Sequence, residues 1–319
     1  MQAVASLIFA VVPILLYLWV VWMMDRYDRE PLSLVVLNFL WGALGAVFFG
    51  MYTSSLIAGL VKADAFVNLV AIAPVIEEIA KGSFLLWTAR DRRFDNITDG
   101  VVYGMAIGLG FGMTENFLYF LSARTAGEWV QRVVLRTLYT AVMHAMATGV
   151  TGMAVGLGKY RFRRYRIPLW IGGLLVAILM HAAWNYWTTL DMVGVTMLEA
   201  VFIGVSLGVI ILVMQISLFA ENRVILGELQ EEADRSVIPQ MHLNYLPFSS
   251  RRKILGWLSP SIDRRAYVHL ATRLAFRKSQ MRRTSGPERE RLEREVEDLR
   301  GEIAAMLQRD SQSPAAQLY

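Results

Sequence analysis

Three carboxylates, two imidazoles and an ammonium stand inside runs that are otherwise hydrocarbon. Glu77, Glu78 and Lys81 interrupt APVIEEIAKGSFLLW (73–87), and Glu115 with Asn116 sits in GLGFGMTENFLYF. His144 lies in TAVMHAMATG, and His181 with Asn185 in LMHAAWNYW. Imidazoles and carboxylates are ligands that hold zinc with an open position for water. A glutamate beside such a water can take its proton. Without metal, a glutamate and a histidine can activate water between them. Asn185, one turn beyond His181 on the same face, is placed to donate to a developing oxyanion. Both routes end in hydrolysis. With no cysteine in the chain, water is the most economical nucleophile.

Each residue also has a simpler reading. Glu77 and Lys81, four apart on one helix face, fit an intrahelical ion pair, but Glu78 is then unexplained. Neighbours on a helix point about 100° apart, so the two glutamates cannot both turn from lipid unless one polar cavity receives them. The glycines from 104 to 112 fit close helix packing, and a single intramembrane histidine fits an interhelical hydrogen bond. Asp99 fits a helix cap. What the simpler readings miss is depth. At 1.5 Å per residue, Glu77, Glu115, His144 and His181 lie roughly 16, 9, 15 and 14 Å from the outer ends of their spans. Charges at such depth are expensive, so a shared level on four helices points to a site.

The elements that carry these groups are apolar helices. The chain has 319 residues, 55% of them hydrophobic and 18% charged. Seven stretches are long enough to cross a ~30 Å hydrocarbon layer as helix: 3–24, 33–60, 66–88, 98–121, 134–157, 167–190 and 195–219. The expected fold is an all-α polytopic membrane protein of about seven transmembrane helices with a cytoplasmic helical tail, divided as 1–219 and 220–319. The first stretch lacks a basic leader and runs into DRYDRE, so it reads as a retained helix rather than a cleaved signal. Arg26 and Arg29, then Arg90, Arg92 and Arg93, then KYRFRRYR (159–166), then Arg251, Arg252 and Lys253 follow alternate spans. The positive-inside rule therefore puts the N-terminus outside and the C-terminus in the cytoplasm of a multi-pass cell-membrane protein. Only the loop 122–133, with Arg124 and Arg132, is discordant. The net charge of +5 follows from topology, and no nucleic-acid partner is expected.

The tail reads as a separate segment. SGPERERLEREVEDLRGEIAAMLQR places Leu292, Val296, Leu299, Ile303 and Met306 on one seam, barely two heptads long. It suits a helix packed on its own domain, or a short coiled coil for self-association. RRAYVHLATRLAFRKSQMRR (264–283) is basic and interleaved with apolar residues, as a helix on anionic lipid or on its own domain would be. His242 and His269 lack metal-ligand spacing and read as structural, and 236–262 reads as connector.

At EEIAK, FGMTEN (Phe111 to Glu115), the His144 span and HAAWN (His181 to Asn185), residues 20–220 resemble the PrsW family of intramembrane proteases. They are more distantly similar to the CAAX-prenyl-endopeptidase and bacteriocin-processing superfamily. DGVVYGMAIGLGFG has the same texture, and the tail lies outside the likeness. The resemblance implies a peptidase acting on a membrane-anchored protein, in the best-known branch an anti-sigma factor cut in its extracytoplasmic part. It makes Glu77, Glu78, Glu115, His144, His181 and Asn185 the catalytic set, with Lys81 supporting. Where metal is used, Zn2+ is the candidate ion and Glu77, Glu115, His144 and His181 its ligands. Another branch has histidine at the position of Glu115, so the metal-free route stays open.

Two other classes compete. A transporter or proton relay also buries carboxylates with histidines, but it often repeats its halves, and none is visible here. A scaffold or immunity protein working through its tail has no need of the polar set. The partners expected are a membrane-anchored protein substrate and the bilayer.

Overall fold

The computed structural model describes residues 1–311 other than Arg26, Asp28, Arg92, Asp95, Asp191 and Met192. Arg26, Arg92 and Asp191, used above to orient the spans, and residues 312–319 of the tail lie outside the described residues. Among the described residues every element is helical and there is no strand.

Helices cover all seven apolar stretches. α1 is Gln2–Met24 and α2 is Leu32–Val61, widened to π-helix at Trp41–Ala46. Ala65–Val67 and a π-helical turn, Asn68–Ile72, lead into α3, Ala73–Thr88. α4 is Ile97–Leu121, α5 is Ala126–Lys159 with a π-helical stretch at Arg136–Thr140, and α6 is Arg166–Thr188. α7 runs from Val193 to Asp234. Five of these, α1, α2, α5, α6 and the Met197–Asp234 part of α7, are long and apolar enough to cross a membrane. The two that are not among them are α3, which is 16 residues long and carries Glu77, Glu78 and Lys81, and α4, which carries Asp99, Glu115 and five glycines. Leu16, Trp19, Phe48, Leu60 and Leu179 are each more than half uncovered by protein. Such a surface suits lipid, not water. The protein is a membrane protein.

The chain forms two compact units, Met1–Asp25 with Arg29–Met214, and Gln215 onward with Tyr27. In the first, α4 is the central helix, packed against α1, α2 and most extensively α5. Asn96 and Asp99 start it with a capping box: each side chain accepts from the other's backbone N–H, at 2.9 and 3.1 Å. Lipid chains are as apolar as leucine, so helices here associate through close backbone contact rather than exclusion from water. Gly108 shows how close. A Cβ there would lie 2.2 Å from the His144 carbonyl oxygen, and one at Gly104 would lie 2.4 Å from that of Thr148. Glycines one turn apart on α4 thus press directly on the α5 turns that present His144 and Thr148.

The second unit contains the last part of α7, short 3-10 turns at Gln240–Asn244 and Arg251–Lys253, α8 (Arg264–Met281) and α9 (Pro287–Ser311). The segment read as connector is part of its core: Ile238, Leu243, Leu246, Trp257 and Ile262 are buried. α8 turns Tyr267, Ala271, Leu274 and Ala275 into that core, so its apolar face is not left for a lipid surface. The α9 seam, Leu292, Val296, Leu299 and Ile303, is also buried. Glu232 of α7 accepts from Lys278 of α8 and, through both oxygens, from Arg300 of α9. His242 faces the Tyr267 hydroxyl at 2.8 Å, the structural role its spacing implied.

Candidate active site

Pro74 explains how α3 enters. In the π-helical turn before it, the Ala73 N–H reaches back to the Asn68 carbonyl. The next bond in that pattern would run from residue 74 to Leu69, but proline has no N–H to give. The Leu69 carbonyl is instead satisfied by Asn185 Nδ2 of α6, at 2.9 Å. The asparagine after His181 therefore ties α6 to the approach of α3. Gly50 of α2 leaves room beside Glu77, since a Cβ there would lie 2.8 Å from the Glu77 Cγ.

Four helices bring the charged groups into one network. Glu78 Oε1 accepts from Lys81 Nζ at 2.7 Å and faces His181 Nδ1 at 3.0 Å. Its other oxygen accepts from Thr148 Oγ1 at 3.3 Å. Lys81 Nζ also lies 3.3 Å from His144 Nδ1 and 3.7 Å above the centre of the Phe111 ring. The far nitrogen of His144, Nε2, is 2.7 Å from Glu115 Oε2, and Arg136 Nη2 is 2.7 Å from the same oxygen. His181 Nε2 is 3.7 Å from Glu77 Oε2, and the two imidazole rings meet edge to face.

The network has a floor and a rim. Glu78, Lys81, His144 and His181 are at most 2% uncovered, whereas Glu77, Arg136 and Glu115 are 13%, 15% and 26% uncovered. With every carboxylate ionised and both imidazoles neutral, three negative charges face two permanent cations. One negative charge is left over.

Glu78, His144 and His181 each offer an atom within 4.8 Å of the others, so this buried trio can hold a metal ion. One carboxylate and two imidazoles form a donor set used by catalytic zinc. The carboxylate grouped with the histidines is Glu78. Glu77 stands beside His181, and Glu115 lies behind His144 on its outward nitrogen. Lys81 is at the centre of the floor rather than paired with Glu77 along the helix.

Two participants were not read from the sequence. Thr148 follows His144 by four residues and so shares its face. Arg136 is a charge inside an apolar stretch, the same signal that exposed the glutamates, two residues within the start of the fifth span. GVSLG (204–208) spells the G-x-S-x-G of serine hydrolases, but it lies within the continuous helix α7, not on the strand-to-helix turn that motif requires.

A family profile described as PrsW family intramembrane metalloprotease matches residues 30–218. The chain belongs to the PrsW family. It is similar to Protease PrsW of Geobacillus kaustophilus, 31% identical over 168 residues covering 51% of this chain and 70% of that one. Protease PrsW of Bacillus subtilis is 27% identical over 165 residues, covering 51% and 72% of the two chains. The Clostridioides difficile protein of that name is 25% identical over 185 residues, covering 56% and 76%. No solved structure matches the chain. As a PrsW protein the chain is an intramembrane protease, a hydrolase of peptide bonds. The match takes in the whole charged network and leaves the second unit outside from residue 219.

Proposed function

We infer that the protein cuts a membrane-anchored protein, with water activated inside the first unit by Glu77, Glu78, His144 and His181. The observation that carries this reading is the joining of ionisable side chains from α3, α4, α5 and α6 in one network with a covered floor and an open rim. Glu78, His144 and His181 would hold Zn2+, which, when bound, polarises a carbonyl and makes water a nucleophile at neutral pH. Glu77, beside the floor and reachable from the rim, takes the water proton as oxygen adds to the scissile carbonyl carbon. It returns that proton to the leaving amine nitrogen as the C–N bond breaks. Lys81, fixed over Phe111, offsets negative charge that grows on the carbonyl oxygen. Asn185 orients α6 against α3 in this scheme.

The basic loops support an N-terminus outside and a cytoplasmic second unit, with the rim in the outer half of the bilayer. That location suits cleavage of an extracytoplasmic stretch, as in an anti-sigma-factor-like regulator. The test is cleavage of single-pass membrane proteins of the host, co-reconstituted with the protease in vesicles. Glu77→Gln should bind zinc as the wild type does and cut nothing, whereas His181→Gln should lose both. A chelator should stop cleavage and added Zn2+ restore it. Wild-type cleavage by both variants would overturn the reading.

A further inference from the structure

Arg136 does not touch the floor, yet its side chain is among the most constrained at the rim. Its Nε donates to Asn116 Oδ1 at 3.1 Å, and Asn116 Nδ2 donates back to the Arg136 carbonyl at 3.3 Å. The guanidinium carbon lies 3.6 Å from the centre of the Tyr119 ring. Asn116 is fully buried, and residues 115, 116 and 119 occupy adjacent positions on one α4 surface. The guanidinium is thus clamped from α4 while its Nη2 meets the Glu115 oxygen that His144 Nε2 also meets. A carboxylate paired with arginine is an acceptor only. The proton of neutral His144 is then drawn to Nε2, and the Nδ1 lone pair is turned toward Lys81, Glu78 and His181.

We propose that Arg136 is a positioning residue for the proteolytic reaction: through Glu115 it fixes the tautomer and ring orientation of His144. The proposal rests on His144 belonging to the active site. It assigns Glu115 to the support of an imidazole rather than to the substrate, and it gives the Asn116–Tyr119 surface a purpose. Outer partners of this kind change metal affinity or activity by about 10–100-fold when removed.

The test begins with 15N NMR of histidine-labelled full-length protein in nanodiscs. The chain has four histidines, and His144→Gln identifies the signal of interest. In the wild type, His144 should carry its proton on Nε2. Arg136→Gln and Glu115→Gln should each shift that signal toward a tautomer mixture, and Arg136→Lys, which keeps the charge without the planar fork, should fall between. In the cleavage assay, Arg136→Gln should lower kcat about 10–100-fold with KM nearly unchanged. The double variant Arg136→Gln/Glu115→Gln should be no worse than the worse single one, since both act through one contact. Multiplied losses, or a His144 signal unmoved by Arg136→Gln, would overturn the proposal. If His144→Gln itself cleaves normally, the reading of the site fails, while the tautomer result still decides what Arg136 does to His144.

Discussion

Lys81→Met is the sharpest probe of the floor. It keeps the length and apolar stem of the side chain and removes only the ammonium. In the wild type that ammonium is fully covered, 2.7 Å from Glu78 Oε1, 3.3 Å from His144 Nδ1 and stacked on Phe111. Without it, Glu78 keeps His181 Nδ1 at 3.0 Å and Thr148 at 3.3 Å but loses its full counter-charge. Removing one partner of a buried ion pair costs about 3–5 kcal/mol, because the remaining charge stays buried. At a few degrees per kcal/mol, the unfolding midpoint of chelator-treated protein should fall by on the order of 10 °C. Glu78→Gln/Lys81→Met should recover most of the loss, since removing both charges is far less costly than removing one. Glu78→Gln alone should be poorly stable.

Zinc gives the same variant an opposite sign. The ammonium occupies lone pairs of Glu78 and His144 that an ion would also need, so lysine and ion compete. Lys81→Met should therefore bind Zn2+ more tightly than the wild type, and saturating Zn2+ should close much of the gap in midpoint. Tryptophan fluorescence during heating in detergent, with chelator or with Zn2+, reads both effects. A chelated Lys81→Met protein that melts with the wild type, or a double variant whose losses simply add, would refute the charge argument.

Two further perturbations test how the site is held. Gly108→Ala drives a methyl into the His144 carbonyl, 2.2 Å away. Overpacking of this kind costs about 1–3 kcal/mol, and cleavage should fall further than stability, up to about 100-fold for a displacement near 1 Å. Its failure would appear as unchanged cleavage with unchanged midpoint. Asn185→Ala should orphan the Leu69 carbonyl at a cost of about 1–3 kcal/mol. Pro74→Ala in the same chain should return part of it by supplying an N–H, and an Asn185→Ala defect indifferent to residue 74 would contradict that account.

The sequence made the chemistry legible because hydrocarbon is a demanding context. Glu77, Glu78, Glu115, His144 and His181 are conspicuous inside spans, and the structure brings all five together. Helix content was legible for the same reason. Less legible was which group faces which. Lys81 could be assigned to Glu77 by i, i+4 spacing, yet it bonds Glu78 at i+3, because α3 turns Glu78 inward and leaves Glu77 at the rim. Asn185 could be assigned to an oxyanion, whereas its partner is a carbonyl orphaned by a proline more than a hundred residues earlier. Such pairings depend on π-helical turns and interhelical register, which the pattern of apolar residues does not encode. The second unit was harder still. Its core draws on 236–262, where polar residues, prolines and isolated hydrophobics give no helical period.

The architecture follows from placing an acid–base site where water is scarce. Burying Glu78 alone would be prohibitive, and surrounding it with cations alone would remove the lone pairs that catalysis uses. The floor reaches a compromise: one ammonium, one imidazole and a hydroxyl share the carboxylate, the second imidazole meets the same ammonium, and Arg136 holds Glu115 outside it. That arrangement needs four helices within hydrogen-bonding distance of a short side chain, which larger residues at the α4–α5 contact would prevent. The glycines that weaken α4 as an isolated helix are therefore what permits the charged network. A bundle packed on leucines would be a better membrane span and a poorer enzyme.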